Sequence, residues 1–153
     1  MRGDDAVGLL AARELEKYFR NDANVTVIAC QQLAPEMAED IAQSELVIFV
    51  DASHFEEAGA IRCTLLRPEG DRTGFTHQLN PPALLGAAEQ LYGDVPEAFT
   101  VTLGGWSYDL TNVLSEGART RLSEVVRRVV ELVATGGQQI SSRTTVGVPA
   151  GRP

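Results

Sequence analysis

The sequence predicts an α/β domain, a three-layer sandwich in which helices cover both faces of a mostly parallel sheet. Segments with helical periodicity alternate with strand-like segments along most of the chain, an order typical of parallel sheets. Residues 45–53 include five consecutive apolar residues, rich in β-branched and aromatic types. This run predicts a central strand that is buried on both faces.

The helices are predicted from apolar spacing and from residues that start or end a helix. In the first helix, 6–19, the apolar side chains fall on one stripe and Asp4 is the expected N-cap. Pro35 begins a short helix to residue 43, and Asn80-Pro81-Pro82 begins a third over 83–92. Ser115 caps the last helix, which ends at Gly136-Gly137.

Four strands are predicted, at 24–30, 45–53, 60–66 and 99–103. The third alternates polar and apolar residues, which is typical of an edge strand that can run antiparallel. Residues 1–137 are therefore expected to form a single domain. Residues 138–153 are rich in Ser, Thr, Gly and Pro, a composition that predicts a disordered tail.

The bulk composition excludes several classes of function. The formal net charge of −8 provides no basic patch for a phosphate backbone, so nucleic acid is not an expected partner. No apolar run approaches the about 20 residues of a membrane span, and no signal-peptide pattern follows the first residues. We expect a cytoplasmic protein without a membrane partner, in which Cys30 and Cys63 are two buried thiols rather than a disulfide.

Three positions combine metal-binding or proton-transfer chemistry with a loop. Asp5 is the second of two acids before the first helix, Asp51 ends the central strand, and His77 precedes the third helix. Carboxylates and a neutral imidazole are a common set of metal ligands. Each also has a structural explanation, since acids favour helix N-termini and turns, and a single loop histidine is often a surface residue.

Other candidates are weaker. His54 could donate a hydrogen bond to a metal ligand, although a turn residue is the simpler interpretation. No serine lies in a Gly-x-Ser-x-Gly context, and neither a phosphate loop nor a dinucleotide fingerprint is present, so no organic cofactor is expected. The early acids and Asp51 also fit the phosphoacceptor pocket of receiver domains. That pocket also needs a lysine at the end of a late strand. The only lysine of this chain is Lys17, in the first helix, so the sequence does not support a receiver domain.

Five motifs in this order resemble the hydrogenase maturation endopeptidase family. They are Arg-Gly-Asp-Asp-Ala-Val-Gly at 2–8, Gln-Leu-Ala-Pro-Glu at 32–36, Val-Ile-Phe-Val-Asp-Ala at 47–52, Thr-His-Gln-Leu-Asn-Pro at 76–81 and Leu-Ser at 114–115. The resemblance spans about residues 2–135.

The resemblance implies a peptidase that removes a short carboxyl-terminal extension from the precursor of a nickel–iron hydrogenase large subunit, after nickel insertion. The precursor would then be the partner, and nickel would arrive with it. By motif, the family's two metal-recognition carboxylates correspond to Asp5 and Asp51, and its histidine to His77. The same three residues are expected to be catalytic, in a reaction of the aspartic or the metal-assisted type.

Two departures from the family pattern affect these expectations. Members usually begin with a strand and a Gly-Asn-x-Leu turn, which are missing here, so we expect a misassigned start or a truncated chain and a sheet without one central strand. An unpaired apolar edge in its place would promote aggregation. Second, Cys-Gln-Gln-Leu at 30–33 replaces a glycine-rich Asp-Gly segment of many members, a difference that bears on which precursor is recognised.

Two other functions remain open at this point. One is a non-catalytic maturation factor that binds metal or the immature subunit. The other is a small-molecule hydrolase on a similar scaffold, which rests on analogy of fold alone.

Overall fold

The computed structural model describes residues 6–70, 79–106, 114–136 and 144–149. Four helices and five strands follow one another in these segments: α1 (Val7–Tyr18), β1 (Val25–Cys30), α2 (Met37–Ala42), β2 (Leu46–Ser53), β3 (Ile61–Leu66), α3 (Pro81–Tyr92), β4 (Glu97–Gly104), α4 (Glu116–Gly136) and β5 (Thr144–Pro149). The strands form one sheet in the order β1-β5-β2-β4-β3. The predicted fold class is confirmed.

Strand β2 is the central strand that its composition predicts. Residues 46–50 are each no more than 3% exposed, and β2 pairs in parallel with β4 from Leu46↔Glu97 to Ser53↔Gly104. Strand β3 pairs antiparallel with the other side of β4 and closes that edge of the sheet. The predicted antiparallel edge strand is therefore also confirmed.

Strand β5 departs from the sequence prediction. It lies between β1 and β2 and is parallel to both, within the segment whose composition predicts a disordered tail. For residues 144–149 that prediction is wrong, as is the count of four strands. Composition is a poor guide here because a strand with a neighbour on each side gains main-chain hydrogen bonds whatever its side chains are. The rest of the predicted tail, 138–143 and 150–153, lies outside the described residues.

The sheet is also not left with a gap between β1 and β2. The expected unpaired apolar edge is absent from the part of the chain that the structure describes, because β5 pairs with six residues of β1 and four of β2. A strand at the start of the family fold would precede residue 6, outside the described residues.

Two hydrophobic cores lie on opposite faces of the sheet. Helices α1 and α4 pack on the face to which Ile48 and Val50 contribute, whereas α2 and α3 pack on the face of Val47 and Phe49. The β1–α2–β2 and β4–α4–β5 connections run in opposite directions across opposite faces, so the two crossovers have the same hand, as is usual in parallel sheets.

Two helices begin at a side-chain cap, the predicted cap Ser115 and the predicted helix start at Asn80. The Asn80 side chain accepts a hydrogen bond from the Ala83 backbone N–H at 2.9 Å, and Ser115 Oγ accepts one from Ala118 at 3.1 Å. Helix α1 instead has Ala6 at its N-cap without a side-chain hydrogen bond. The predicted cap, Asp4, lies outside the described residues.

Neither cysteine takes part in a disulfide, and neither is fully buried. Cys30 is half-buried at the end of β1, and Cys63 is exposed. The prediction of two buried thiols is wrong because residues 62–65 of the edge strand β3 are not covered by a helix. Partial desolvation raises the pKa of the Cys63 thiol. The positive charge of Arg128 lowers the pKa, but by less, so the net shift is upward.

Candidate functional site

Asp51 lies at the carboxyl end of β2, where the buried apolar run stops. Its register partner on β4 is Thr102, and both residues line one cavity with Phe49 and Thr100. Asp51 is half-buried, and one carboxylate oxygen accepts a hydrogen bond from the Ala52 backbone N–H at 2.8 Å. The strand therefore holds a carboxylate at the carboxyl end of the sheet, which is where open α/β sheets bind ligands.

The cavity beside Asp51 has a volume of about 290 Å³. Its apolar walls are Phe49, Ala52, Phe55, Leu66, Pro81 and Pro82. Its polar groups, besides Asp51 itself, are Ser53, His54, Asn80, Thr100 and Thr102. A mostly apolar cavity with a few convergent polar groups is typical of a binding site.

The other two predicted site residues, Asp5 and His77, lie outside the described residues. The structure does describe the residues that follow each of them, from Ala6 and from Leu79 onward. Asn80, three positions after His77, lines the cavity of Asp51. The segment that follows His77 in sequence therefore arrives at the candidate site.

Ala6, the residue after Asp5, also lies toward the carboxyl end of the parallel strands. Helix α1 turns directly into β1, since Asp22 donates its N–H to Phe19 and Val25 donates to Asp22. Twelve helical residues span about 18 Å and six strand residues about 20 Å. Ala6, at the far end of α1, thus lies toward the carboxyl end of the parallel strands, which is also the end that Asp51 occupies.

The β2–β3 loop, residues 54–60, is bound closely to the end of β4. Gly59 donates its N–H to the Gly104 carbonyl at 2.9 Å, and Gly104 donates to the Ala60 carbonyl at 2.9 Å. A Cβ atom on Gly104 would lie 2.0 Å from the Glu57 carbonyl oxygen. The loop can approach so closely only because residue 104 has no side chain.

Replacing Gly104 with alanine is expected to destabilise the protein by about 1–3 kcal/mol, since the added methyl group must displace backbone rather than a flexible side chain. Gly70→Ala is the matched control, because no atom lies within 4 Å of a Cβ at that position. Urea denaturation of both variants measures the difference. Equal midpoints for the two variants would contradict the close approach at Gly104.

Trp106 connects this loop to the start of α4. Its indole ring packs directly against two glycines: a Cβ atom on Gly59 would lie 2.7 Å from the ring, and one on Gly117 would lie 2.6 Å from it. Gly59 has a φ of +84°, a conformation that favours glycine, and Arg121 Nε donates to its carbonyl at 3.2 Å. The loop is thus held by contacts from β4, from Trp106 and from α4.

Two residues of this loop border the cavity and were not predicted as site residues. His54, which the sequence indicated as a turn residue, lines the cavity, and so does Phe55. Phe55 is 90% exposed. No motif or periodicity identifies such a residue, because a single apolar residue in a polar loop has no distinguishing pattern.

Two shifted pKa values belong to one ion pair on α4. On α4, a hydrogen bond from Arg127 lowers the pKa of Glu124, and the same contact raises the pKa of Arg127. Among the described residues no three His, Cys, Asp or Glu side chains are grouped closely enough to hold a metal ion. Asp5 and His77 are not among the described residues.

Solved structures share this fold. No protein-family model matches the chain, and no curated protein matches it. A [NiFe] hydrogenase maturation protease, HycI from Thermococcus kodakarensis KOD1, is 26% identical with a TM-score of 0.67, over 87% of this chain and 85% of that one. The sequence motifs and this structural likeness agree. The chain is thus similar to the hydrogenase maturation endopeptidases in its motifs and in its fold.

Two further solved structures share this fold. The hydrogenase maturating endopeptidase HybD from E. coli is 18% identical with a TM-score of 0.67, and the match covers 90% of this chain and 88% of that one. An endopeptidase from Escherichia coli, solved in solution, gives 18% identity and a TM-score of 0.69 over 90% and 88%. The recognition of this family of peptidases from the sequence is confirmed.

None of the described helices has the length and apolar character of a membrane span.

Proposed function

We propose that this chain is the endopeptidase that removes the carboxyl-terminal extension from the precursor of a nickel–iron hydrogenase large subunit after nickel insertion. The observation that carries the proposal is the position of Asp51. It lies near the carboxyl end of β2, directly after the buried residues 46–50, and lines a cavity together with Asn80, in a fold shared with a hydrogenase maturation protease.

In this proposal Asp5, Asp51 and His77 together bind the nickel ion that the precursor carries. Two carboxylates and an imidazole fit a divalent ion of this kind, and open coordination positions let the precursor's own ligands remain bound. Docking on the ion would place the scissile bond beside Asp51. Two mechanisms are compatible with these residues. In one, a carboxylate acts as general base; in the other, the metal polarises the scissile carbonyl.

The contacts of Asp51 suit this role. The Ala52 N–H occupies one carboxylate oxygen, which fixes the direction of the side chain. The hydroxyl groups of Thr100 and Thr102 lie in the same cavity and can bind main-chain groups of a peptide. Phe49 and Leu66 contribute apolar walls to the same cavity.

We also propose that the protein acts in the cytoplasm on this precursor. Two cysteines outside any disulfide, one of them exposed, suit a reducing compartment.

The experiment that tests the function is a cleavage reaction followed by mass spectrometry. We expect the purified chain to shorten a nickel-loaded precursor by one carboxyl-terminal segment and to leave the nickel-free precursor intact. A stable complex in which the precursor keeps its full mass would instead support the non-catalytic maturation factor. Equal cleavage of the nickel-loaded and nickel-free precursors would contradict recognition through the metal.

A further inference from the structure

We infer that Phe55 is a specificity-determining residue, which binds an apolar side chain of the precursor next to the cleavage site. This inference rests on the proposed function, because it assigns a substrate contact within the same site. It concerns the β2–β3 loop, which none of the predicted catalytic residues occupies.

The first supporting observation is the exposure of Phe55. Its side chain is 90% exposed, more than any other large hydrophobic residue among those described. Leaving an aromatic ring in water forgoes the favourable free energy of burial. A residue of this kind beside a binding cavity is suited to act as an anchor, since buried aromatic residues often dominate binding energy at protein interfaces.

The second observation is that the loop is already ordered in the free protein. Ser53 Oγ accepts hydrogen bonds from the backbone N–H groups of Phe55 and Glu56, at 3.2 and 3.3 Å. The Glu56 carboxylate forms an ion pair with Arg62 at 3.0 Å. A bound partner therefore does not have to order the loop, which lowers the entropic cost of binding.

The third observation is continuity with the site. Phe55 borders the cavity that also contains Asp51, and Pro81 and Pro82 line the same cavity. An apolar side chain placed between Phe55 and these prolines would leave its own main chain near the carboxylate. The occupant that fits is thus an apolar residue of the precursor segment that is to be cut.

The test compares Phe55→Ala with Phe55→Leu and with the control Leu91→Ala. Leu91 is also largely exposed, at 68%, but lies at the other end of α3 from the cavity. With nickel-loaded precursor as the probe, we expect Phe55→Ala to raise KM about tenfold and to leave kcat within about twofold. Phe55→Leu should lie between Phe55→Ala and the wild type, and Leu91→Ala should match the wild type.

The outcomes separate this inference from the proposed function. If the wild type cleaves the precursor and Phe55→Ala has an unchanged KM, the inference is overturned while the peptidase function stands. If the wild type does not cleave, equilibrium binding of the same precursor to the two chains is measured by interferometry. Weaker binding by Phe55→Ala then supports the contact without catalysis, and equal binding overturns it.

Two controls address other causes. Thermal denaturation should give equal midpoints for the wild type and Phe55→Ala, because an exposed side chain contributes little to the core. Light scattering gives the oligomeric state. A wild-type dimer that becomes monomeric in Phe55→Ala with an unchanged KM would show that Phe55 binds a second copy of the chain, and would overturn the inference.

Discussion

Replacing Asp51 with asparagine is expected to lower the rate of precursor processing by a factor of about 10²–10⁴, the range over which a single acid–base group typically contributes to catalysis. The change removes the negative charge that the metal or the reacting water requires. It should leave the fold intact, because the asparagine carbonyl can accept the same hydrogen bond from the Ala52 N–H. His77→Ala is expected to have a comparable effect. Mass spectrometry of nickel-loaded precursor over time measures both variants.

The matched control for the charge is Asp94→Asn. Asp94 is exposed in the turn between α3 and β4, so its replacement should leave processing unchanged. Full activity in Asp51→Asn would remove this carboxylate from the mechanism. An equal loss of activity in Asp94→Asn would attribute the effect to the net charge of the protein rather than to the site.

The second large effect is expected at β5. We expect Val146→Pro to destabilise the protein by about 3 kcal/mol or more, a large part of the about 5–15 kcal/mol that stabilises a typical domain. Residue 146 pairs with Val27 of β1 and with Ile48 of β2. A strand with a neighbour on each side has no free edge, so the proline removes a donor that is in use and introduces a clash. Urea denaturation followed by circular dichroism measures the loss.

Pro149→Ala is the control for this variant. Pro149 already lacks an N–H group, and β5 pairs with β2 only as far as Gly147↔Phe49, so alanine at 149 should change stability by less than about 1 kcal/mol. If Val146→Pro unfolds at the same urea concentration as the wild type, β5 is not required in the sheet.

The sequence predicted elements whose local pattern and tertiary setting agree. The apolar run of β2 implies burial on both faces, and the alternation in β3 implies an edge. The cap Ser115 and the helix start at Asn80-Pro81-Pro82 were recognised because both signals depend on neighbouring residues alone. In each case the information that determines the element lies within a few positions of it.

Strand β5 and the exposure of Cys63 could not be predicted in this way. Residues 144–149 lie within a longer segment, 138–153, that is rich in Ser, Thr, Gly and Pro, and their place in the sheet depends on β1 and β2, which lie far away in sequence. Cys63 was expected to be buried because it lies in a strand, but burial depends on whether a helix covers that part of the sheet. Both outcomes depend on topology, which a local pattern does not contain.

The candidate site was predicted in part. Asp51 lies where its strand implied, and the segment after His77 arrives at its cavity. The loop that borders the cavity was not predicted. Its position depends on Gly104 and on Trp106, and the close packing at these residues has no sequence signature beyond the presence of glycine.

The position of β5 constrains the order in which the protein can fold. The pairs Val25↔Thr144 and Leu46↔Thr144 join parts of the chain that are distant in sequence, and such contacts slow folding because long loops must close first. During synthesis, β1 and β2 emerge well before the strand that separates them. The nascent chain must keep these two apolar strands apart, or pair them transiently, until residues 144–149 leave the ribosome. We therefore expect the insertion of one strand between two others to be a late step of folding.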